Sequence, residues 1–266
     1  MQKFKIIVFI ASLIILGCKE NGKTKPQIDS GISSGEAPPP PAQMPIKIMP
    51  IEHATVVLEW NNITIFIDPV GGAEAFEGQK QPDLILVTDI HGDHFSLETL
   101  EELDTSKAKI IMPQAVADKM PEKFTPQIDV LNNGDEKERY GIIVEAIPMY
   151  NLREEALKFH EKGRGNGYVL NMSGQRIYFS GDTEDIPEMR TLKNIDKAFI
   201  CMNLPYTMTP ESAASAVLEF QPKQVYAYHY RGNPDVSDVQ KFKEIVNAEN
   251  PDIEVVQLDW YPKDEY

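Results

Sequence analysis

Four side chains able to bind a metal ion fall within six residues: Asp89, His91, Asp93 and His94, in the segment Val87-Thr88-Asp89-Ile90-His91-Gly92-Asp93-His94. Imidazole nitrogens and carboxylate oxygens are both good donors to divalent metals. The apolar run Leu84-Ile85-Leu86-Val87 just before them reads as a buried strand, and Gly92 permits a tight turn beyond its end. Side chains alternate along an extended chain, so Asp89 and His91 point one way, while Asp93 and His94 enter the same space after the turn. Two such groups on one loop suit two metal ions sharing a solvent molecule. A solvated polar loop uses the same residue types. Two of the chain's five histidines sit here, however, which weights the reading toward chemistry.

The elements that must hold this loop are legible from period and punctuation. Strands are predicted over 46–51, 55–59, 63–67, 109–112, 142–147, 168–172, 176–179 and 198–201, with Asn61-Asn62 as a tight turn. Helices are predicted over 97–103, 114–120, 210–220 and 236–248. Ser96 and Thr209 serve as start signals, and Pro210 suits a first helical position. Strands first, then strands alternating with helices, imply two sheets flanked by helices.

The loop resembles the His-x-His-x-Asp-His signature of the metallo-β-lactamase superfamily, with Asp89 standing where the first His would be. Ile65-Phe66-Ile67-Asp68-Pro69, Ser180-Gly181-Asp182-Thr183 and Tyr228-His229-Tyr230-Arg231 resemble that superfamily's other motifs, in order and rough spacing, over about residues 46–262. The pattern is nearest to the branch holding the ascorbate-phosphate lactonase and N-acyl-phosphatidylethanolamine phospholipase relatives. The resemblance implies an α/β fold, an αββα sandwich of two mixed sheets flanked by helices. It also implies one or two divalent ions, Zn²⁺ first and Mn²⁺ or Fe as alternatives. Asp93, His94 and His229 would form one site, with Asp182 as a bridge, and Asp89 and His91 would belong to the other. Read alone, Asp182 could cap a helix beginning at Glu184, and His229 could be a hydrogen-bonded strand-end histidine.

The first site departs from the family pattern. Its remaining His would fall near Pro148-Met149-Tyr150-Asn151, where none occurs; Asn151 is the aligned candidate, and its amide oxygen is a weak ligand. His160 could swing in instead, or face substrate or solvent. Two divalent ions bring four positive charges, against three negative ones from Asp89, Asp93 and Asp182 where the usual set has two. The extra carboxylate predicts less acidification of bound water, a pull toward harder metals and a weaker, less Zn²⁺-selective first site.

The function implied is metal-assisted hydrolysis: a metal-bound hydroxide attacks an ester, lactone or phosphodiester bond of an anionic small molecule or lipid. Asp93 would orient the nucleophile and carry its proton, with Asp182 as the second catalytic carboxylate. Arg231, Tyr206 and His53 are the expected substrate contacts, Tyr206 as a donor to a developing oxyanion. Lys158, His160, Lys162 and Arg164, followed by Gly165-Asn166-Gly167, form either an anion clamp or a solvated charged loop with Glu154, Glu155 and Glu161. The alternative from another class is a metal-retaining, non-catalytic or single-metal binding protein. No strand–Gly-x-Ser-x-Gly elbow and no phosphate-binding Gly-rich loop is present, which disfavours serine hydrolase and P-loop chemistry.

The formal net charge of −15 repels phosphate backbones and argues against a nucleic-acid partner. Lys3 and Lys5 precede an apolar stretch over 6–16, too short to span a membrane as a mature helix. Ile15-Leu16-Gly17-Cys18 then resembles a bacterial lipoprotein signal, cut before a cysteine that is acylated; an ordinary secretory signal is the alternative. The expected organisation is a signal peptide at 1–17, a Pro-rich disordered tether at 18–45 containing Pro38-Pro39-Pro40-Pro41, and one domain at 46–266. Lipid on Cys18 would hold the protein to the cell envelope. It would also leave Cys201 without a disulfide partner, as a small buried core residue. Replacing Cys18 (Cys18→Ala) is therefore expected to leave the protein soluble or unprocessed on cell fractionation. Recovery of the variant in the membrane fraction, at the processed size of the wild type, would count against lipidation.

Overall fold

The computed structural model describes residues 44–261. Cys18, the apolar stretch and nearly all of the expected tether lie outside the described residues. The first sheet runs in the order β1 (Lys47–Glu52), β2 (Thr55–Trp60), β3 (Ile63–Ile67), β4 (Leu84–Leu86), β5 (Lys109–Met112), β6 (Ile128–Val130). β1, β2 and β3 pair antiparallel, and each strand from β3 onward pairs parallel with the next. Asn61 and Asn62 both take positive φ, the conformation that a two-residue hairpin between β2 and β3 demands. β4 is buried on both faces, which explains its unbroken apolar run.

The second sheet takes the order β13 (Glu254–Val256), β12 (Gln224–Tyr228), β11 (Lys197–Cys201), β10 (Gln175–Phe179), β9 (Gly165–Met172), β8 (Ile142–Met149), β7 (Glu136–Arg139). Its strands are parallel from β13 to β10 and antiparallel from β10 to β7. Val56, Leu58, Ile65 and Ile67 of the first sheet share one core with Val144, Tyr168, Leu170 and Ile177 of the second. The alternate residues Val57, Phe66, Ile85 and Ile110 pack instead with Leu100 and Val116, which belong to α1 (Leu97–Glu102) and α2 (Gln114–Ala117). Short α3 (Pro187–Arg190), with α4 (Pro210–Phe220) and α5 (Val239–Glu249), buries Met189, Val217, Phe220, Phe242 and Val246 against the second sheet. The result is the αββα sandwich of two mixed sheets that the sequence predicts.

Boundaries differ where local chemistry intervenes. Ser96 and Thr209 cap α1 and α4 as expected, accepting from Thr99 N–H and Ser212 N–H. The helix predicted over 236–248 begins at Val239, because Val236 bridges to Arg231 and Asp238 caps by accepting from Lys241 N–H. The helix predicted over 114–120 stops at Ala117, shortly before Pro121, and α1 stops at Glu102 rather than 103. β8 and β9 are longer than predicted, and β6, β7 and β13 carry too little apolar alternation to be read from sequence. Among the described residues no helix is long and apolar enough to cross a membrane.

Strand register puts one aromatic stack through the second sheet. Phe199 pairs with Phe179 on one side and Tyr226 on the other, with ring centroids 4.4 and 4.6 Å away. Phe199 is wholly buried, so Phe199→Ala should cost about 3–5 kcal/mol in a urea titration. A loss below about 1 kcal/mol would mean that the stack does not carry core stability.

Candidate metal centre

The parallel strands all deliver their C-terminal ends to one edge of the sandwich, and the candidate site is built there. Asp68 follows β3, residues 88–94 follow β4, Asp182 follows β10, Asn203 follows β11 and His229 follows β12. The buried Asp68 carboxylate accepts from Thr88 N–H at 2.7 Å and Thr88 Oγ1 at 2.6 Å, and lies 2.8 Å from His94 Nδ1. That contact fixes the His94 tautomer and leaves Nε2 aimed inward, 3.4 Å from Asp182 Oδ2 and 4.0 Å from Asp93 Oδ1. His229 Nε2 stands 3.3 Å from both Asp93 Oδ2 and Asp182 Oδ1. His160 Nε2 reaches the other Asp182 oxygen at 3.3 Å, and His91 Nδ1 lies 2.8 Å from Asp89 Oδ2.

These contacts resolve into two clusters. Asp89, His91 and His160 bring ligand atoms within 4.8 Å of one another, as do Asp93, His94 and His229. Asp182 touches members of both. The donor set fits divalent metal: buried His94 Nε2 and Asp182 Oδ1 have no hydrogen-bond partner, although buried polar atoms ordinarily have one. Imidazole-to-carboxylate separations of 3.3–3.4 Å also exceed those of charge-assisted hydrogen bonds.

The metal-free electrostatics agree. Burial works to raise the Asp182 carboxyl, but His229 and His94 outweigh it and hold it well below the usual range. Asp93 is likewise lowered against its burial, chiefly by its contact with His229. Burial works against a protonated His229, yet Asp182 and Asp93 bring it up to about 9. His94 is raised in the same way by Asp182 and Asp68, against its burial. Without metal these imidazoles neutralise the carboxylates with protons, which an incoming cation must displace.

His160 joins the first cluster, whereas Asn151 does another job. The Asn151 amide donates to Ala156 O at 2.9 Å and Tyr206 O at 2.7 Å, and its backbone N–H donates to His160 O at 3.0 Å, tying down the turn that carries His160. Its Oδ1 is buried and unpartnered, so it keeps acceptor capacity. The alternative reading of Asp182 as a helix cap is not met: the next helix starts only at Pro187, behind Ile186. The basic loop divides: Glu154, Glu155, Lys158, Glu161 and Lys162 stay exposed, as the solvated reading expects, whereas His160 and Arg164 turn inward. Arg164 turns inward to Asp89, Lys162 bonds Glu188 at 2.8 Å and Tyr150 Oη at 3.2 Å, and Lys158 lies over the Phe159 ring. Arg164 also supplies the positive charge that the sequence-based count of three carboxylates lacked.

A cavity of about 290 Å³ opens over the clusters, lined by His91, Asp93, Phe159, His160, Asp182, Asn203 and Tyr206. Of the three expected substrate contacts, Tyr206 lies on it. His53 packs edge-on against the His229 ring and sits 3.3 Å from Tyr261 Oη; burial and its cationic neighbours His229 and Arg231 lower it to about 4. Arg231 stacks on the Tyr261 ring. Sequence reading missed Asn203, whose amide approaches Asp182 Oδ2 at 3.3 Å and His229 Nε2 at 3.2 Å. It saw Asp68 only as part of a strand-end motif. Its signal was the Asp-Pro punctuation; Asn203 had none beyond its place after an apolar strand.

Two Asp/His clusters at the strand ends of an αββα sandwich define a protein of the metallo-β-lactamase fold. The chain belongs to the β-lactamase superfamily, whose domain matches residues 47–229. It is similar to a UPF0173 metal-dependent hydrolase of Pyrococcus abyssi, with 30% identity over 211 residues, covering 76% of this chain and 92% of the relative. It is also similar to a crystal structure from Parabacteroides distasonis described as a metal-dependent hydrolase: 35% identity, TM-score 0.71, with 80% of this chain and 92% of that chain covered. Igni18, a metallo hydrolase of Ignicoccus hospitalis, shares the fold at 22% identity and a TM-score of 0.67, over 80% of this chain and 95% of its own. The fold and the enzyme class expected from the sequence are both met.

Asp68 reaches the centre only through His94, so Asp68→Asn should weaken Zn²⁺ binding about ten- to a hundredfold while leaving the circular dichroism spectrum unchanged. Unaltered affinity in a calorimetric titration would refute the orienting role.

Proposed function

We propose that this chain is a metal-dependent hydrolase acting on an ester, lactone or phosphodiester bond of an anionic small molecule or lipid. Asp93, His94 and His229 would hold one ion, Asp89, His91 and His160 the other, with Asp182 between them. The observation that carries this reading is the pair of buried atoms His94 Nε2 and Asp182 Oδ1, both without a hydrogen bond and both at the Asp93–His94–His229 cluster. When bound, a divalent ion supplies Lewis acidity and makes water acidic enough to ionise near neutral pH. Zn²⁺ is the first expectation, Mn²⁺ and Fe²⁺ the alternatives.

The chain's own residues do the rest. Asp93 has 42% of its side chain exposed and lies on the cavity wall, so it can orient the nucleophile and take its proton. Asp182 is almost wholly buried and acts as the fixed negative charge around which three imidazoles are arranged. Tyr206 lines the cavity, and its hydroxyl, which accepts from Asn233 Nδ2 at 3.5 Å, would donate to an oxygen that gains charge as the bond breaks. The Phe159 and Tyr206 rings meet edge to face at 5.0 Å and give one wall apolar character. Anchoring at the cell envelope through Cys18 is part of the same proposal and would place the site near lipid or periplasmic substrates.

The test uses the full chain loaded separately with Zn²⁺, Mn²⁺ or Fe²⁺, assayed on bis(p-nitrophenyl) phosphate and on a simple lactone. His94→Ala and His229→Ala should each strip most bound metal and abolish turnover. The fold should survive, since both ligands sit at strand ends. Full metal occupancy in both variants would make the assignment wrong. Metal binding without turnover of either substrate by the wild type would favour the non-catalytic alternative.

A further inference from the structure

Asp89 is wholly buried, and both of its oxygens are in use. Arg164 Nε donates to Oδ1 at 3.1 Å and Arg164 Nη2 donates to Oδ2 at 2.9 Å, while His91 Nδ1 lies 2.8 Å from Oδ2. The fork of the guanidinium matches the carboxylate in the two-point geometry that lysine cannot provide. The same guanidinium donates to Phe159 O, on the residue before His160. One side chain therefore grips one member of the first cluster directly and the backbone next to another. The backbone is shaped to allow it. Asn166 N–H donates to Thr88 O at 2.9 Å, and a Cβ on Gly165 would come within 2.9 Å of Thr88 O and 3.3 Å of Asp89 Oδ1. Only glycine lets the start of β9 press this closely on the Thr88–Asp89 backbone.

The charge on Asp89 has a consequence for metal. A lone third carboxylate would make the centre more negative than an imidazole in that place. Arg164 cancels that charge locally, and its own charge is fixed across the whole working pH range. We propose that Arg164 is a positioning residue for the metal centre. It neutralises and orients Asp89, so that the Asp89–Arg164 pair stands in for one neutral imidazole, while His160, held through Phe159, supplies another. The inference rests on the metal-binding reading above.

The pair makes a sign-reversing prediction for a double-mutant cycle read by Zn²⁺ calorimetry on the metal-stripped full chain. Asp89→His leaves the Arg164 cation stranded beside the ions and should weaken Zn²⁺ binding at one site about ten- to a hundredfold. Adding Arg164→Gln to that variant should restore affinity to near the wild-type value. The same Arg164→Gln change in the wild-type background should weaken binding, because Asp89 and the Phe159–His160 turn lose their anchor. If Arg164→Gln raises affinity by the same factor in both backgrounds, Arg164 is only a nearby charge and the inference fails. It fails too if Asp89→His alone binds Zn²⁺ as tightly as the double variant. Melting of the four metal-free proteins supplies the second readout. Coupling seen there, with equal Zn²⁺ affinities throughout, would make the pair structural and overturn its role at the centre. A wild type that binds neither Zn²⁺ nor Mn²⁺ overturns the metal-binding reading itself, whereas a binding wild type with additive variants overturns only the pairing.

Discussion

The arrangement depends on one buried carboxylate. Asp182 sits at the end of β10 with almost no water around it, and an ionised carboxylate in such a place is costly unless cations or strong donors surround it. His94, His160 and His229 meet it from three different loops, and Asn203 adds an amide from a fourth. None of these partners is local in sequence. The chain must therefore complete both sheets before Asp182 is satisfied, and once it is, four loops are fixed relative to one another. A site of this kind couples assembly of the fold to assembly of the chemistry.

Neighbouring contacts serve the same convergence. Glu184, two residues beyond Asp182, accepts from Leu152 N–H and Arg153 N–H at 2.9 Å each and pairs with Arg153 Nε at 2.6 Å. Arg153 in turn donates to Pro205 O and Thr207 O at 3.0 and 2.7 Å, which ties the turn before His160 to the loop carrying Asn203 and Tyr206. Gly181 takes a positive φ and leaves room for Met149, whose sulfur accepts from Asp182 N–H at 3.1 Å. The ligand side chains are therefore held by their backbones as much as by each other, which limits the reorganisation needed when an ion binds.

The central strands and the metal loop were legible because their signals are local: an apolar run, then a turn with metal-binding residues at fixed offsets. Asp182 and His229 were legible as strand-end residues set by a family order. The partners of the site were not. Arg164 read as part of a solvated or anion-binding loop because a charged side chain looks the same in sequence whether it faces water or a buried carboxylate. Only the docking of β9 on Thr88 reveals that Arg164 turns inward. His160 and Asn151 were both candidates; what separates them is the turn that Asn151 itself holds, a contact with no periodicity. β7, whose residues are all charged, pairs at the sheet edge through its backbone, where side-chain pattern carries little information.

How the cations are used bears on what the site can recognise. Arg153, Lys162 and Arg164, in the segment around His160, each pair with a carboxylate of the protein. The residues lining the cavity include no Lys or Arg. With a net charge of −15, the chain's overall field does not steer anions inward either. An anionic group on a substrate would thus have to be met by bound metal or by the polar side chains that line the cavity, His91, His160, Asn203 and Tyr206. Metal would then both activate the reaction and recognise the charge, and the Phe159–Tyr206 wall would be left to sort substrates by their apolar parts.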